Sequence, residues 1–125
     1  MIGYVTLGTN DLARASTFYD ALLAELGANR VMEADTFVAW SVTPTTPALS
    51  VISPFDSAAA TVGNGTMVAL IMDSTEKVDS FHKKAIQLGA TNEGDPGPRG
   101  GGSFYAGYFR DPDGNKLNAF CMTAA

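Results

Sequence analysis

The sequence predicts an α+β fold made of two tandem βαβββ modules whose sheets enclose a cleft. In each half, an apolar strand is followed by an amphipathic helix and then by shorter strand candidates. The second half also repeats the first, because a shift of 63 positions aligns Val5 with Val68 and Phe18 with Phe81. Repetition of a whole supersecondary unit indicates that each copy buries part of its surface against a neighbour.

The first module begins with the strand Ile2–Gly8, in which Tyr4 and Thr6 face one side of the sheet and the apolar residues between them face the other. Apolar positions at helical spacing then predict a helix over Leu12–Leu26, and Gly27 ends it. Alternating segments separated by turn residues predict three more strands: Ala28–Glu33, Thr36–Val42 and Ala48–Ser53.

The pattern restarts with the strand Met67–Met72, and Asp73 with Glu76 resembles a capping box that opens a second helix. A weak strand is expected over Ala90–Glu93, followed by a glycine- and proline-rich loop over Gly94–Gly102. We therefore expect one domain over residues 1–125, with module 1 at 1–55, a connector at 56–65 and module 2 at 66–125.

A tight hairpin closes the second module. Pro112 fixes the first corner of the turn, Asp113 can bond its own backbone, and Gly114 supplies a left-handed position. In the strand that follows, Asn118 and Phe120 face the side opposite the apolar residues between them. Asn118 is therefore a candidate functional residue.

Composition bounds the function. With 46% hydrophobic residues, 125 residues can bury a core without disulfides, and the single cysteine, Cys121, is typical of a reducing compartment. A net charge of −5 argues against nucleic acid as a partner. No apolar run is long enough to span a bilayer, so no membrane partner is expected. We expect a cytoplasmic protein.

The duplicated modules, the Asp11-Leu12 and Phe18-Tyr19 pairs and the Asp111-Pro112-Asp113-Gly114-Asn115 hairpin together resemble the vicinal oxygen chelate superfamily. This superfamily includes glyoxalase I, bleomycin-resistance proteins and extradiol dioxygenases. The resemblance covers essentially the whole chain, and it implies a cleft that in many members holds a divalent metal.

The metal-ligand positions of that superfamily correspond to Tyr4, Ser50, Met67 and Asn118. Members that bind metal carry mainly His, Glu or Gln there. Neutral hydroxyl, thioether and amide groups lack the imidazole, thiolate or carboxylate donors on which transition-metal sites depend. We therefore expect no metal and no cofactor.

The same four positions can instead contribute to a small-molecule pocket. By strand parity, Thr6, Trp40, Tyr108 and Phe120 are expected to line it with them, which gives an apolar pocket with a few polar anchors. The alternative is that these residues simply fill the space between the sheets.

Two charged or titratable residues have weaker assignments. Arg99 lies in the glycine-rich loop, where it either clamps a carboxylate or phosphate as part of a lid or is simply solvated. His82, the only histidine, is expected to be a partly exposed helix residue with no catalytic role.

The function expected from these observations is metal-independent binding of a small, largely apolar molecule by a homodimer, as the resemblance to bleomycin-resistance proteins implies. One alternative is a glyoxalase-like lyase, isomerase or dioxygenase with a non-standard site, whose catalytic residues the sequence does not identify. Another is a structural or protein-interaction module, since one fold hosts many activities.

Overall fold

The computed structural model of the protein describes residues 1–123, and it contains two compact units that divide after Gly63. Each unit has one four-stranded sheet and one long helix, in the order βαβββ. This confirms the predicted α+β class and the repeated module. Within residues 1–123, no helix is long and apolar enough to cross a membrane.

Unit 1 has its strands in the order β1-β4-β3-β2, with β1 parallel to β4 and the other neighbours antiparallel. Its elements are β1 (Tyr4–Gly8), α1 (Leu12–Leu23), β2 (Asn29–Glu33), β3 (Phe37–Ser41) and β4 (Ala48–Ile52).

The bounds of helix α1 follow from its capping residues and from its apolar face. Asp11 accepts a hydrogen bond from the backbone N–H of Arg14 at 3.0 Å, which caps the first turn. A short 3₁₀ turn, Ala24–Leu26, and Gly27 at φ 75° end the helix. The residues that α1 buries share one face: Ala15, Ser16, Phe18, Tyr19, Leu22 and Leu23.

Unit 2 repeats this arrangement with the order β5-β8-β7-β6, and β5 runs parallel to β8. Its elements are β5 (Val68–Ile71), α2 (Thr75–Gln87), β6 (Thr91–Arg99), β7 (Phe104–Arg110) and β8 (Lys116–Met122).

The predicted cap of α2 is wrong by one residue. Ser74, not Asp73, has extended backbone angles and accepts the backbone N–H of Lys77 through its side chain at 3.1 Å. A serine hydroxyl three residues before an N–H satisfies the same open helix end that the Asp73–Glu76 spacing suggested.

The predicted loop over Gly94–Gly102 is also wrong in most of its length. Strand β6 continues through it to Arg99 and pairs with β7, with register shifts on either side of Gly94. Only Gly100–Gly102 form a turn, and all three glycines have positive φ. Strand β7 supplies backbone partners along this segment, and the shifts accommodate prolines that cannot donate hydrogen bonds.

The last hairpin forms as predicted, and the side chain of Asp111 holds its turn together. Asp111 is 3% exposed, and its carboxylate accepts the backbone N–H groups of Asp113 and Asn115, each at 2.9 Å. It also accepts the Asn115 side-chain amide at 3.0 Å. Gly114 takes the left-handed position at φ 92°. Asp111 therefore fixes the entry to β8, the strand that carries Asn118.

Candidate functional site

The open face of each sheet is the face away from that unit's helix. In unit 1 this face carries a cavity of about 420 Å³. Its walls combine apolar and hydroxyl side chains from all four strands and include Tyr4, Thr6, Met32, Phe37, Ala39 and Ser50. Cavities of this size accept drug-sized ligands.

A pair of hydroxyl groups lies in this cavity. Thr6 and Ser50 are cross-strand partners, and their hydroxyl oxygens are 2.7 Å apart. Ser50 is 5% exposed and is also placed to donate to the carbonyl of Val5 at 3.3 Å. If Ser50 donates to Val5, Thr6 donates to Ser50; if Ser50 donates to Thr6, the Thr6 proton is free for a ligand. The pair can therefore present either a donor or an acceptor to the cavity.

Tyr4 lies on the same face, one pleat from Thr6, and its side chain is 71% exposed. Among residues 1–123, it is the only titratable side chain lining this cavity. The cavity consequently offers hydroxyl groups and apolar surface, and neither charge nor imidazole.

The placement of Trp40 on the open face is wrong. Trp40 is 2% exposed and packs under α1, with its ring centroid 5.7 Å from that of Tyr19. Its indole N–H donates to Asp20 at 2.8 Å, and Arg30 donates to the same carboxylate through two nitrogens at 2.7 and 2.8 Å. The pKa of Asp20 is lowered, first by the Arg30 hydrogen bonds. Trp40 therefore anchors helix to sheet.

In unit 2 the register places Asn118 beside Tyr108 on β7 and Ala69 on β5. Phe120, two residues along β8, lies on the same open face and stacks on Phe104 with centroids 5.4 Å apart. Asn118 is 1% exposed, and its Oδ1 has no hydrogen-bond partner within residues 1–123. The parity predicted for β8 and for Tyr108 is confirmed.

Arg99 lies on this face as a strand residue. Its guanidinium carbon is 5.5 Å from the ring centroid of Tyr108, and the ammonium of Lys116 is also 5.5 Å from that centroid. Arg110 pairs with Glu93 close by. The pKa of Glu93 is lowered, mainly by its hydrogen bond from Arg110, and Lys116 adds to the effect. Tyr108 thus sits in a positively charged environment.

Met67 precedes β5 and is 39% exposed, so unlike Asn118 it holds no strand position. Ser50 and Tyr4 belong to unit 1 and offer only hydroxyl groups. Within residues 1–123, no three His, Cys, Asp or Glu side chains are grouped to hold a metal ion. The donors at the four superfamily positions therefore do not fit a divalent transition metal.

The expectation that His82 is partly exposed is wrong. His82 is 5% exposed, and its Nε2 lies 3.1 Å from Asn92 Oδ1 and 3.0 Å from the carbonyl oxygen of Tyr108. Both groups accept hydrogen bonds, so Nε2 carries the proton. The ring packs over Gly107, where a Cβ would lie 3.0 Å from its Cδ2. His82 joins α2 to β6 and β7 and does not reach the open face.

Several residues on the open faces were not predicted from the sequence: Met32, Phe37 and Ala39 in unit 1, and Phe104 and Lys116 in unit 2. The alternation of β3 was the available signal, because Phe37 and Ala39 must share a face that Trp40 does not. Lys116 and Phe104 share the parity of Asn118 and Tyr108 and could have been found in the same way.

Comparison with known proteins identifies the class. The profile of the Glyoxalase/Bleomycin resistance protein/Dioxygenase superfamily matches residues 1–119. The chain belongs to this superfamily, as the resemblance of its motifs indicated. No curated protein matches the chain significantly.

Solved structures of other proteins are also similar to this chain. A glyoxalase/bleomycin resistance protein from Albidiferax ferrireducens T118 is 35% identical with a TM-score of 0.87, over 97% of this chain and 98% of that one. A glyoxalase/bleomycin resistance protein/dioxygenase family enzyme from Burkholderia phytofirmans PsJN is 19% identical, with a TM-score of 0.76 over 96% and 97% of the two chains. Lactoylglutathione lyase from Agrobacterium tumefaciens is 21% identical, with a TM-score of 0.72 over 97% and 92%. The last two share the fold alone.

Proposed function

We propose that the protein is a metal-independent small-molecule-binding protein of the glyoxalase/bleomycin-resistance type, with its ligand in the unit 1 cavity. The observation that carries this proposal is the cavity of about 420 Å³ on the open face, with apolar walls and the Thr6–Ser50 hydroxyl pair. A mostly apolar pocket with a few placed polar groups is the usual composition of a ligand site.

The lining favours a neutral ligand with an apolar body. Met32 and Phe37 offer apolar contact, and the hydroxyl pair can bond one carbonyl or hydroxyl of the ligand. Binding is favoured over catalysis because Tyr4 is the only lining side chain of residues 1–123 that titrates. A neutral phenol is a weak base.

The test is a thermal-shift screen of neutral aromatic and aliphatic fragments against protein treated with EDTA, followed by calorimetric titration of each stabilising fragment. Ala39 is the residue to change, because it pairs with Ser50 in the sheet and lines the cavity. We expect Ala39→Phe to fill the cavity and to abolish binding. Loss of one hydrogen bond, in Thr6→Val or Ser50→Ala, should weaken binding by about 3- to 10-fold.

Thr91→Val is the matched control, since Thr91 lies exposed on β6 of unit 2. It should leave the affinity within twofold of the original. If the fragments bind Ala39→Phe as tightly as the unchanged protein, the cavity is not the binding site. If binding requires Zn²⁺, Ni²⁺, Fe²⁺ or Mn²⁺ to be added back, metal independence is wrong.

The proposal includes a homodimer in the cytoplasm. β1 and β5 are edge strands of their sheets, and they expose Tyr4 and Ile71 at 71% and 70%. Exposed apolar edge strands tend to pair with another chain. Light scattering should give the mass of two 13.1 kDa chains, and the mass of one chain would contradict the dimer.

A further inference from the structure

The open face of the unit 2 sheet concentrates positive charge in a protein whose net charge is −5. Arg99 and Lys116 both lie 5.5 Å from the ring centroid of Tyr108. All three side chains are half-buried, so solvent screens their charges less than on an open surface. Tyr108 lies on β7, between Arg99 on β6 and Lys116 on β8, and the positive potential of the two cations favours an anion on this face.

Arg99 is held in place by its own strand. Its Nη1 donates to the carbonyls of Gly97 and Pro98 at 3.0 and 3.2 Å, and its Nη2 donates to the carbonyl of Asp95 at 2.7 Å. A Cβ at Gly94 or Gly97 would lie 3.4 or 3.2 Å from the guanidinium nitrogens. Glycine at both positions therefore leaves room for the guanidinium to lie across β6.

Three of the five N–H donors of Arg99 have acceptors, which leaves the Nε donor and one Nη2 donor without a partner in residues 1–123. An immobilised guanidinium with donors to spare is well suited to a carboxylate, since little further entropy is lost on binding.

The same face offers apolar surface beside the charges. Phe104 and Phe120 stack with centroids 5.4 Å apart, and both residues are half-buried. A ligand that covered this end of the face would bury apolar area that water now contacts.

Asn118 gives an independent indication of a ligand. It lies on the same open face, beside Tyr108, at 1% exposure, and its Oδ1 has no hydrogen-bond partner within residues 1–123. A buried acceptor without a donor is costly and uncommon in folded proteins. A ligand N–H or O–H group would satisfy it.

We propose that the open face of the unit 2 sheet binds an amphipathic organic acid. Arg99 binds the carboxylate beside Tyr108, Lys116 adds positive charge from strand β8, and Phe104 and Phe120 contact the apolar body. The site consists of unit 2 residues only, so it is tested separately from the cavity of unit 1.

The experiment is a titration of the full ¹⁵N-labelled protein followed by amide chemical shifts. The probes are benzoate, its neutral analogue benzamide, phenyl phosphate and inorganic phosphate. Benzoate should shift amides of β7 and β8 saturably, and its Kd should be at least tenfold lower than that of benzamide. Inorganic phosphate and phenyl phosphate should bind more weakly than benzoate.

Variants assign the contacts. Arg99→Gln and Lys116→Gln should each raise the Kd for benzoate at least fivefold. The Kd of Arg99→Lys should lie between those of Arg99→Gln and the original protein. Lys83→Gln is the matched control, because Lys83 is exposed on α2, and it should change the Kd less than twofold. The amide spectrum shows whether Arg99→Gln folds, and if it does not, Lys116→Gln decides.

Three results would overturn the proposal. The first is equal binding of benzoate and benzamide, which would remove the role of the carboxylate. The second is a Kd for benzoate that Lys116→Gln leaves unchanged. The third is binding of either phosphate probe at least as tight as that of benzoate, which would make the site a phosphate site.

Discussion

Replacing Asn118 should make the ligand-free protein more stable, although most substitutions of buried residues do the opposite. Asn118 is 1% exposed, and its Oδ1 has no hydrogen-bond partner among residues 1–123. A buried acceptor left without a donor costs about 1–3 kcal/mol. Leucine has the same branching at Cγ and removes that cost. We therefore expect Asn118→Leu to raise the free energy of unfolding by about 1–3 kcal/mol.

Urea unfolding followed by far-UV circular dichroism measures this change. Asn118→Val, with a smaller side chain, guards against the strain that a larger group introduces into a packed site. The matched control is Asn115→Leu, because Asn115 is 7% exposed and is bonded to Asp111 through its side-chain amide. The free energy of unfolding of Asn115→Leu should be lower than that of the original protein by about 1–3 kcal/mol. If both Asn118 variants lose more than about 1 kcal/mol, Asn118 is a satisfied structural residue and the reasoning is wrong.

Three further predictions concern the packing around the sites. Gly107→Ala should lower the free energy of unfolding by about 1–2 kcal/mol in urea, because the new Cβ would lie 2.9 Å from Cγ of Pro96 and 3.0 Å from Cδ2 of His82. Long-range ¹H–¹⁵N spectra of neutral His82 should show the proton on Nε2, which faces the carbonyl of Tyr108 at 3.0 Å. Asp20→Asn should lose about 0.5–1 kcal/mol of stability at neutral pH, because Arg30 can no longer pair with a charged carboxylate.

The Asp20 prediction has a defined pH dependence. The folded-state pKa of Asp20 is lowered from 3.8, so the stabilisation is fully present above the unfolded value and is lost as the pH falls through the folded value. The difference in the free energy of unfolding between the original protein and Asp20→Asn should therefore be constant above about pH 5 and shrink below pH 3.8. A difference that stays constant into acid would contradict the ion pair.

If Gly107→Ala unfolds at the same free energy as the original protein, the close packing of Pro96 and His82 around Gly107 is wrong. Gly3→Ala is its control, because no atom lies within 4 Å of a Cβ built there. A proton found on Nδ1 of His82 would show that the ring does not donate to Tyr108.

The sequence predicted the repeated module well, because strand alternation, helical spacing and glycine stops are local signals. The predicted position of Trp40 was wrong because the hairpin of unit 1 is one residue longer than the hairpin of unit 2. Ala39 pairs with Ser50, eleven positions later, whereas Tyr108 pairs with Asn118, ten positions later. An alignment anchored on the last strands therefore matches Trp40 to Tyr108, and a shift of one residue exchanges the two faces of a strand.

The loop prediction for the glycine- and proline-rich segment was wrong for a different reason. Its composition is typical of a loop, and no local signal shows that β7 supplies hydrogen bonds along it through two register shifts. The packing of Arg99 on Tyr108 depends on that pairing. The burial of His82 likewise depends on the approach of Gly107 from a strand 25 residues away in the sequence. Contacts of this kind are set by tertiary structure and lie beyond local propensity.

The donor chemistry at the superfamily's metal-ligand positions was the part of the site that sequence alone could address, because donor chemistry is a property of residue type. What occupies the open face of unit 1 requires a direct observation. Crystals of the full chain soaked with neutral fragments, in EDTA, would provide it. We expect density for fragments in the cavity, in contact with Thr6, Ser50 and Ala39. Fragments bound elsewhere while this cavity stays empty across the library would contradict it.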